Sequence, residues 1–314
     1  MHRRTLLLAA LGLGAAGCSV SDPRIMGTPQ PVDTPPSPVP PVGADHLAGL
    51  EAGVAALLAA MARAPWAGSD APRFQLLAEV HRLHQGVLTT AEPLLREPAA
   101  VGFATIEAPG TRDQGLSAAG SALTTLHDAH ATLATGTTGP LAAFWGAQAA
   151  SAVQSRSALT TAVSAVTKAV PRREVAVLDR RTAADDLLDR YHEAVYGLES
   201  ALGRLTTAHP ARAGLNRVVL AVKAQRDVLT ARSRAASQTP VPGAPVYSVP
   251  PTTTDDAALA LVARLLQAVT EAAAVVVASV ASDLSTAVDD LVAASTLGLP
   301  VGMGLAEYPG WPDA

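Results

Sequence analysis

The chain has 314 residues, 49% of them hydrophobic, 16% charged and 3% aromatic, with a formal net charge of −4. That length can hold two domains with separate cores, and the apolar share excludes wholesale disorder. The mild negative charge offers no basic face of the kind nucleic-acid binders present, which excludes that partner. Much of the apolar content is Ala, the best helix former and a poor contributor of buried area, so the composition favours an all-α fold built on close helix contacts.

The first residues read as an export segment. His2-Arg3-Arg4 is a basic start, Leu6 to Leu13 an apolar run, and Ala15-Ala16-Gly17 the small residues a signal peptidase accepts. The only cysteine, Cys18, follows directly, and the arrangement resembles the lipobox of bacterial lipoproteins, in which the sulfur receives a lipid. Ala15 stands where Leu is common, and simple cleavage or an uncleaved anchor are the alternatives. The paired arginines resemble a twin-arginine signal. With one cysteine no internal disulfide can form. Gly12, Gly14 and Gly17 spell GxGxxG, but no strand precedes them, so no dinucleotide site is expected. Residues 1–17 are thus expected to be a signal peptide. Residues 18–44 form a lipidated Pro-rich tether that would span on the order of 70 to 80 Å at about 3.1 Å per residue.

Eight helices follow in the periodicity. The first is expected over about Asp45–Arg63 and the second over Pro72–Arg96. A loop from Glu97 to Gln114 leads to the third, Leu116–Ala134. Pro140 opens a fourth, with Phe144, Trp145, Ala152, Leu159 and Val166 inward, that ends before Pro171. In the fifth, Thr182 and Asp185 have the form of a capping box, and Leu188, Tyr191, Val195, Leu198, Leu202 and Leu205 make a seam. His209-Pro210 breaks that run, and a sixth helix from Ala211 turns Leu215, Val218, Val219, Val222 and Leu229 inward. Ser237–Thr253 is a Pro-rich crossover. Thr254 caps a seventh helix, whose apolar stretch Ala272–Ala281 is too short to span a membrane. An eighth covers Ser282–Thr296, and Tyr308 and Trp311 are expected to dock the tail. Residues 45–170 and 182–314 are therefore read as two antiparallel four-helix bundles in tandem, each with the long connection between second and third helices found in ferritin-like proteins.

Three segments carry a family resemblance: Tyr191-His192-Glu193-Ala194-Val195-Tyr196-Gly197, Ala221-Val222-Lys223-Ala224-Gln225-Arg226-Asp227, and Ala306-Glu307-Tyr308-Pro309-Gly310. They are similar to an uncharacterised ferritin-like family of exported proteins from high-GC Gram-positive bacteria. That family's Glu-His pair appears here as Tyr191-His192, and the histidine of its basic run is Val222, which removes two potential ligands. The resemblance implies a fold and no activity.

Ferritin-like di-metal sites need Glu-x-x-His on two helices, and the chain has none. The nearest approach is a ridge of Asp189, His192, Tyr196 and Glu199 beside the fifth seam. In the first half, His81-x-x-His84 lies on helix two, and His130 occupies a seam of helix three with His127 one turn earlier. These imidazoles could converge on a metal, or could be neutral core histidines bonded to nearby groups. No nucleophile elbow or phosphate loop is present, so no enzyme activity and no cofactor are expected. The reading is an exported, lipid-anchored binding or structural module on the outer face of the cytoplasmic membrane, its partners the membrane and an envelope protein. The alternative is a metal-binding or redox protein that uses the histidine cluster.

Overall fold

The structure is a computed structural model that describes residues 40–94, 97–161, 163, 166–167 and 175–311. The export segment, Cys18 and the tether as far as residue 39 lie outside the described residues. The helices are α1 (Ala44–Arg63), α2 (Ala71–Leu88), α3 (Arg112–Thr135), α4 (Gly139–Ala158), α5 (Arg180–Arg204), α6 (Arg212–Ala235), α7 (Asp255–Ser279) and α8 (Leu284–Thr296). Strands β1 (Val166–Thr167) and β2 (Leu305–Ala306) pair in parallel and are the only sheet among the described residues. The chain is all-α.

Local chemistry explains where the helices differ from the sequence expectation. α2 stops at Leu88 because the hydroxyls of Thr89 and Thr90 donate back to the Gly86 and Val87 carbonyls, competing with further helix. α3 starts at Arg112, earlier than expected, on a capping box between Thr111 and Gln114. α4 ends at Ala158, and Val166 lies in β1 instead of on that helix. Asp179 caps α5 by accepting from the Thr182 amide, so Thr182 sits inside the first turn and Asp185 pairs with Arg181 at 2.5 Å. α8 begins at Leu284 after Asp283 takes a left-handed conformation. Thr254 caps α7 as expected, accepting from the Ala257 amide.

α4 explains the packing. Its small residues Ala142, Ala143, Gly146, Ala147, Ala149, Ala150 and Ala152 are buried on every side of the helix, which is how a centrally placed helix behaves. It packs against α3 on one side and α7 and α8 on the other. The main apolar cluster consequently runs from Leu47 and Leu88 through Trp145 to Val262 and Leu291, joining helices of both halves. A second cluster around Phe74, Leu58 and Leu123 spans α1–α3 and takes in Ala152 and Ala158 of α4 and Leu299 and Leu305 after α8. α1 and α7 are long and apolar enough to cross a membrane, and each buries more than half of its apolar stretch inside this body.

α5 and α7 run antiparallel. Thr206, after α5, meets Asp255 at the start of α7, while Arg180, at the start of α5, pairs with Asp283 beyond its end. The Pro-rich crossover lies along α5 between these points: Thr239 accepts from Arg181, Tyr247 donates to Asp189 at 2.8 Å, and Val249 sits against Gly197. The tail then returns over α7. Gly310 has φ +85°, and a Cβ there would lie 2.5 Å from that of Ala274. Only glycine permits this close approach, which places Glu307 and Tyr308 beside α2.

Candidate metal centre

Glu51 occupies a core position of α1, in register with Leu47, Val54 and Leu58, and is fully buried. An ionised carboxylate there must find partners. Three imidazoles supply them. His81 Nδ1 donates to Glu51 Oε2 at 2.6 Å, and His130 Nε2 donates to Oε1 at 3.0 Å. His84 Nδ1 lies 3.3 Å from Oε1, and all three histidines are 0% exposed. α1, α2 and α3 thus meet at one buried acid.

A surrounding layer orients these rings. Ser155 of α4 lies 3.1 Å from His81 Nε2. His84 Nε2 donates to the Glu307 carbonyl at 2.7 Å, so the returning tail fixes that ring. Trp145 stacks on His130 with centroids 6.0 Å apart, and Tyr308 lies 4.9 Å from the His84 ring. His81 and His84 meet edge to face at 5.8 Å, as residues three apart on one helix face can.

Charge is divided unevenly among these groups. Burial opposes ionisation of Glu51, but the attraction of His81 and His84 and the hydrogen bonds from His130 and His81 outweigh it and hold the carboxyl well below its usual range. Burial also opposes charge on His84, yet the Glu51 carboxylate and the Glu307 carbonyl raise its pKa. For His130 burial dominates and, with repulsion from His84 and His81, lowers the pKa against the hydrogen bond and charge of Glu51. The Tyr308 phenol is pushed well above its ordinary value by burial, with Glu307 and Glu51 adding repulsion.

Several buried polar atoms have no hydrogen-bond partner: His84 Nδ1, His130 Nδ1, the Tyr308 hydroxyl and both amide atoms of Gln148. Gln148 lies on α4 between Trp145, which faces His130, and Ser155, which faces His81. Such a concentration is unusual, since buried polar groups are nearly always paired. One ligand atom each from Glu51, His81 and His84 lies within 4.8 Å of the others, a spacing that could hold a metal ion. Two imidazoles and a carboxylate suit zinc, iron or manganese.

The other candidate residues lie elsewhere. His127 Nδ1 donates to the Ala149 carbonyl at 3.1 Å and does not join the cluster. Asp189 accepts from Tyr247, His192 packs against Gly243 of the crossover, and Glu199 pairs with Lys223 at 2.5 Å. Asp189, His192 and Tyr196 are the bed on which the crossover rests, whereas Glu199 meets α6. The sequence reading missed Glu51. Its signal was an acid at a seam position of the first helix, facing a helix that carries two histidines on its own inward stripe.

Residues 183–313 match the model of a family described as "Domain of unknown function (DUF4439)". No curated protein and no solved structure matches the chain. The matched region supplies the Glu307 carbonyl and Tyr308, whereas Glu51 and the three histidines precede it.

Proposed function

We propose that this protein is an exported, lipid-anchored and non-enzymatic helical module, ferritin-like in its C-terminal half, that binds one divalent transition-metal ion at Glu51, His81 and His84. The observation that carries this reading is His84. Its Nε2 is committed to a backbone carbonyl, the outer bond that metal-bound imidazoles usually make, and its Nδ1 faces Glu51 without a hydrogen bond. His130 and Ser155 would hold the carboxylate and the second ring in place. A fully buried site with protein ligands on two helices suits retention of an ion, and through it the joining of α1, α2 and the tail, better than turnover of a substrate.

The test is metal content. Full-length protein freed of metal by chelation and incubated with Co2+ or Zn2+ should retain one equivalent through gel filtration. Retention should fall at least tenfold in His84→Gln and His81→Gln, and persist in His192→Gln. Wild-type protein that retains no more metal than His84→Gln would overturn the metal reading. The anchor is tested separately: a Cys18→Ala variant should leave the membrane fraction, and one that stays would remove the lipid-anchor reading.

A further inference from the structure

A second site is built entirely from the C-terminal helices. A cavity of about 570 Å³ opens between α5, α6, α7 and α8, a size in the range that holds small-molecule ligands. Leu187, Leu229, Val276 and Val280 form its aliphatic part, each at least nine-tenths buried, and Ser233, Gln238, Ser282 and Thr286 are among the polar residues that complete the lining. Three arginines, Arg180, Arg181 and Arg232, stand around it with side chains 61%, 40% and 44% exposed.

These guanidiniums are only partly used. Arg180 bonds Ser282 and Asp283, Arg181 bonds Asp185 and the Thr239 carbonyl, and Arg232 bonds Asp290 twice. Each therefore employs two of the five N–H donors a guanidinium carries. Asp283 is 67% exposed, and ion pairs at such positions contribute little, so Arg180 can accept a different anion at small cost. Asp290 differs: it is buried, also lines the cavity, and is held by Arg232 and Gln225. A carboxylate at that place repels a second anion, which leaves Arg180 and Arg181 to receive one.

We propose that this cavity binds an amphipathic anion through one hydrocarbon chain, with its carboxylate or phosphate head at Arg180 and Arg181 and that chain between Leu187, Leu229 and Val280. Aliphatic side chains and guanidinium donors in one lining match that division of a ligand into an oily and an acidic part. The head could come from a free fatty acid or from a phospholipid. The site shares no residue with the Glu51 cluster and stands or falls independently of it.

Fluorescence titration of the full-length chain with cis-parinaric acid tests the proposal. Saturable binding at one site is expected, weakened at least tenfold for the methyl ester and for the Arg180→Glu/Arg181→Glu variant. Ala184→Trp, which fills the cavity from an exposed position of α5, should weaken it as much while leaving the circular dichroism and melting temperature unchanged. Absence of saturable binding, equal affinity for the ester, or unaltered affinity in Ala184→Trp would each overturn it. Native mass spectrometry after incubation with oleate or with phosphatidylglycerol vesicles then assigns the source. Retained oleate alone identifies a fatty-acid site, retained phospholipid a lipid-headgroup site, and retention of neither refutes both.

Discussion

Glu51→Gln preserves shape and removes the charge on which the histidine cluster converges. The carboxylate accepts from His81 at 2.6 Å and from His130 at 3.0 Å, with His84 Nδ1 at 3.3 Å. An amide accepts through its oxygen only, so its NH2 must face at least one imidazole N–H, donor against donor. His84 also loses the counter-charge that raises its pKa. Removing one partner of a buried ion pair costs about 3–5 kcal/mol. Reversal of one imidazole tautomer recovers part of that, so about 3 kcal/mol is expected. At roughly 2 °C per kcal/mol for a body of this size, the melting temperature of metal-free protein should fall by about 6 °C. Thermal and urea unfolding followed by far-UV circular dichroism, in chelator at neutral pH, measure it. A Glu51→Gln protein that melts at or above the wild-type temperature would show that the acid is not the ionised hub of the cluster.

Other perturbations reach the surrounding structure. Tyr308→Phe removes a buried hydroxyl that has no partner, so metal-free protein should be unchanged or gain about 1 kcal/mol in urea unfolding. Gly310→Ala demands a left-handed backbone and a clash with Ala274, and should cost about 1–3 kcal/mol. Limited proteolysis should then cut the tail near Glu307 before the helices. Asp290 has its pKa raised chiefly by burial, against the pull of Arg232. A raised carboxyl favours folding most below its unfolded pKa and loses that advantage as pH rises through the folded value. Wild type should therefore gain stability relative to Asp290→Asn as pH falls from neutral into the acid range, in parallel melting curves. An opposite slope would mean that the Arg232 ion pair outweighs burial.

Much of the helical layout was legible because it depends on neighbours in sequence. The seam Val262, Leu266, Val269 and Ala273 and the Thr254 cap are set by spacing alone, and both appear as expected. The boundaries that moved did so where polar side chains had a choice of partner. Asp179 and Thr182 are each acceptable caps for α5, and only the three-dimensional path selects Asp179. The stop of α2 at Leu88 likewise depends on threonine hydroxyls that could have faced solvent.

Periodicity placed His81, His84 and His130 on inward faces, and no local rule could say what they met. Glu51 lies 30 residues from His81 and 79 from His130, and Glu307 is 223 residues from His84. What the sequence determined by itself is a set of amphipathic helices, since propensity and the 3.6-residue repeat act within a few turns. Only the tertiary structure decided that Ala-rich α4 would lie centrally, that the tail would fold back on a glycine to reach α2, and that one buried acid would gather three imidazoles. Burying a charge is tolerable only when distant partners arrive together, and that is a property of the packed chain.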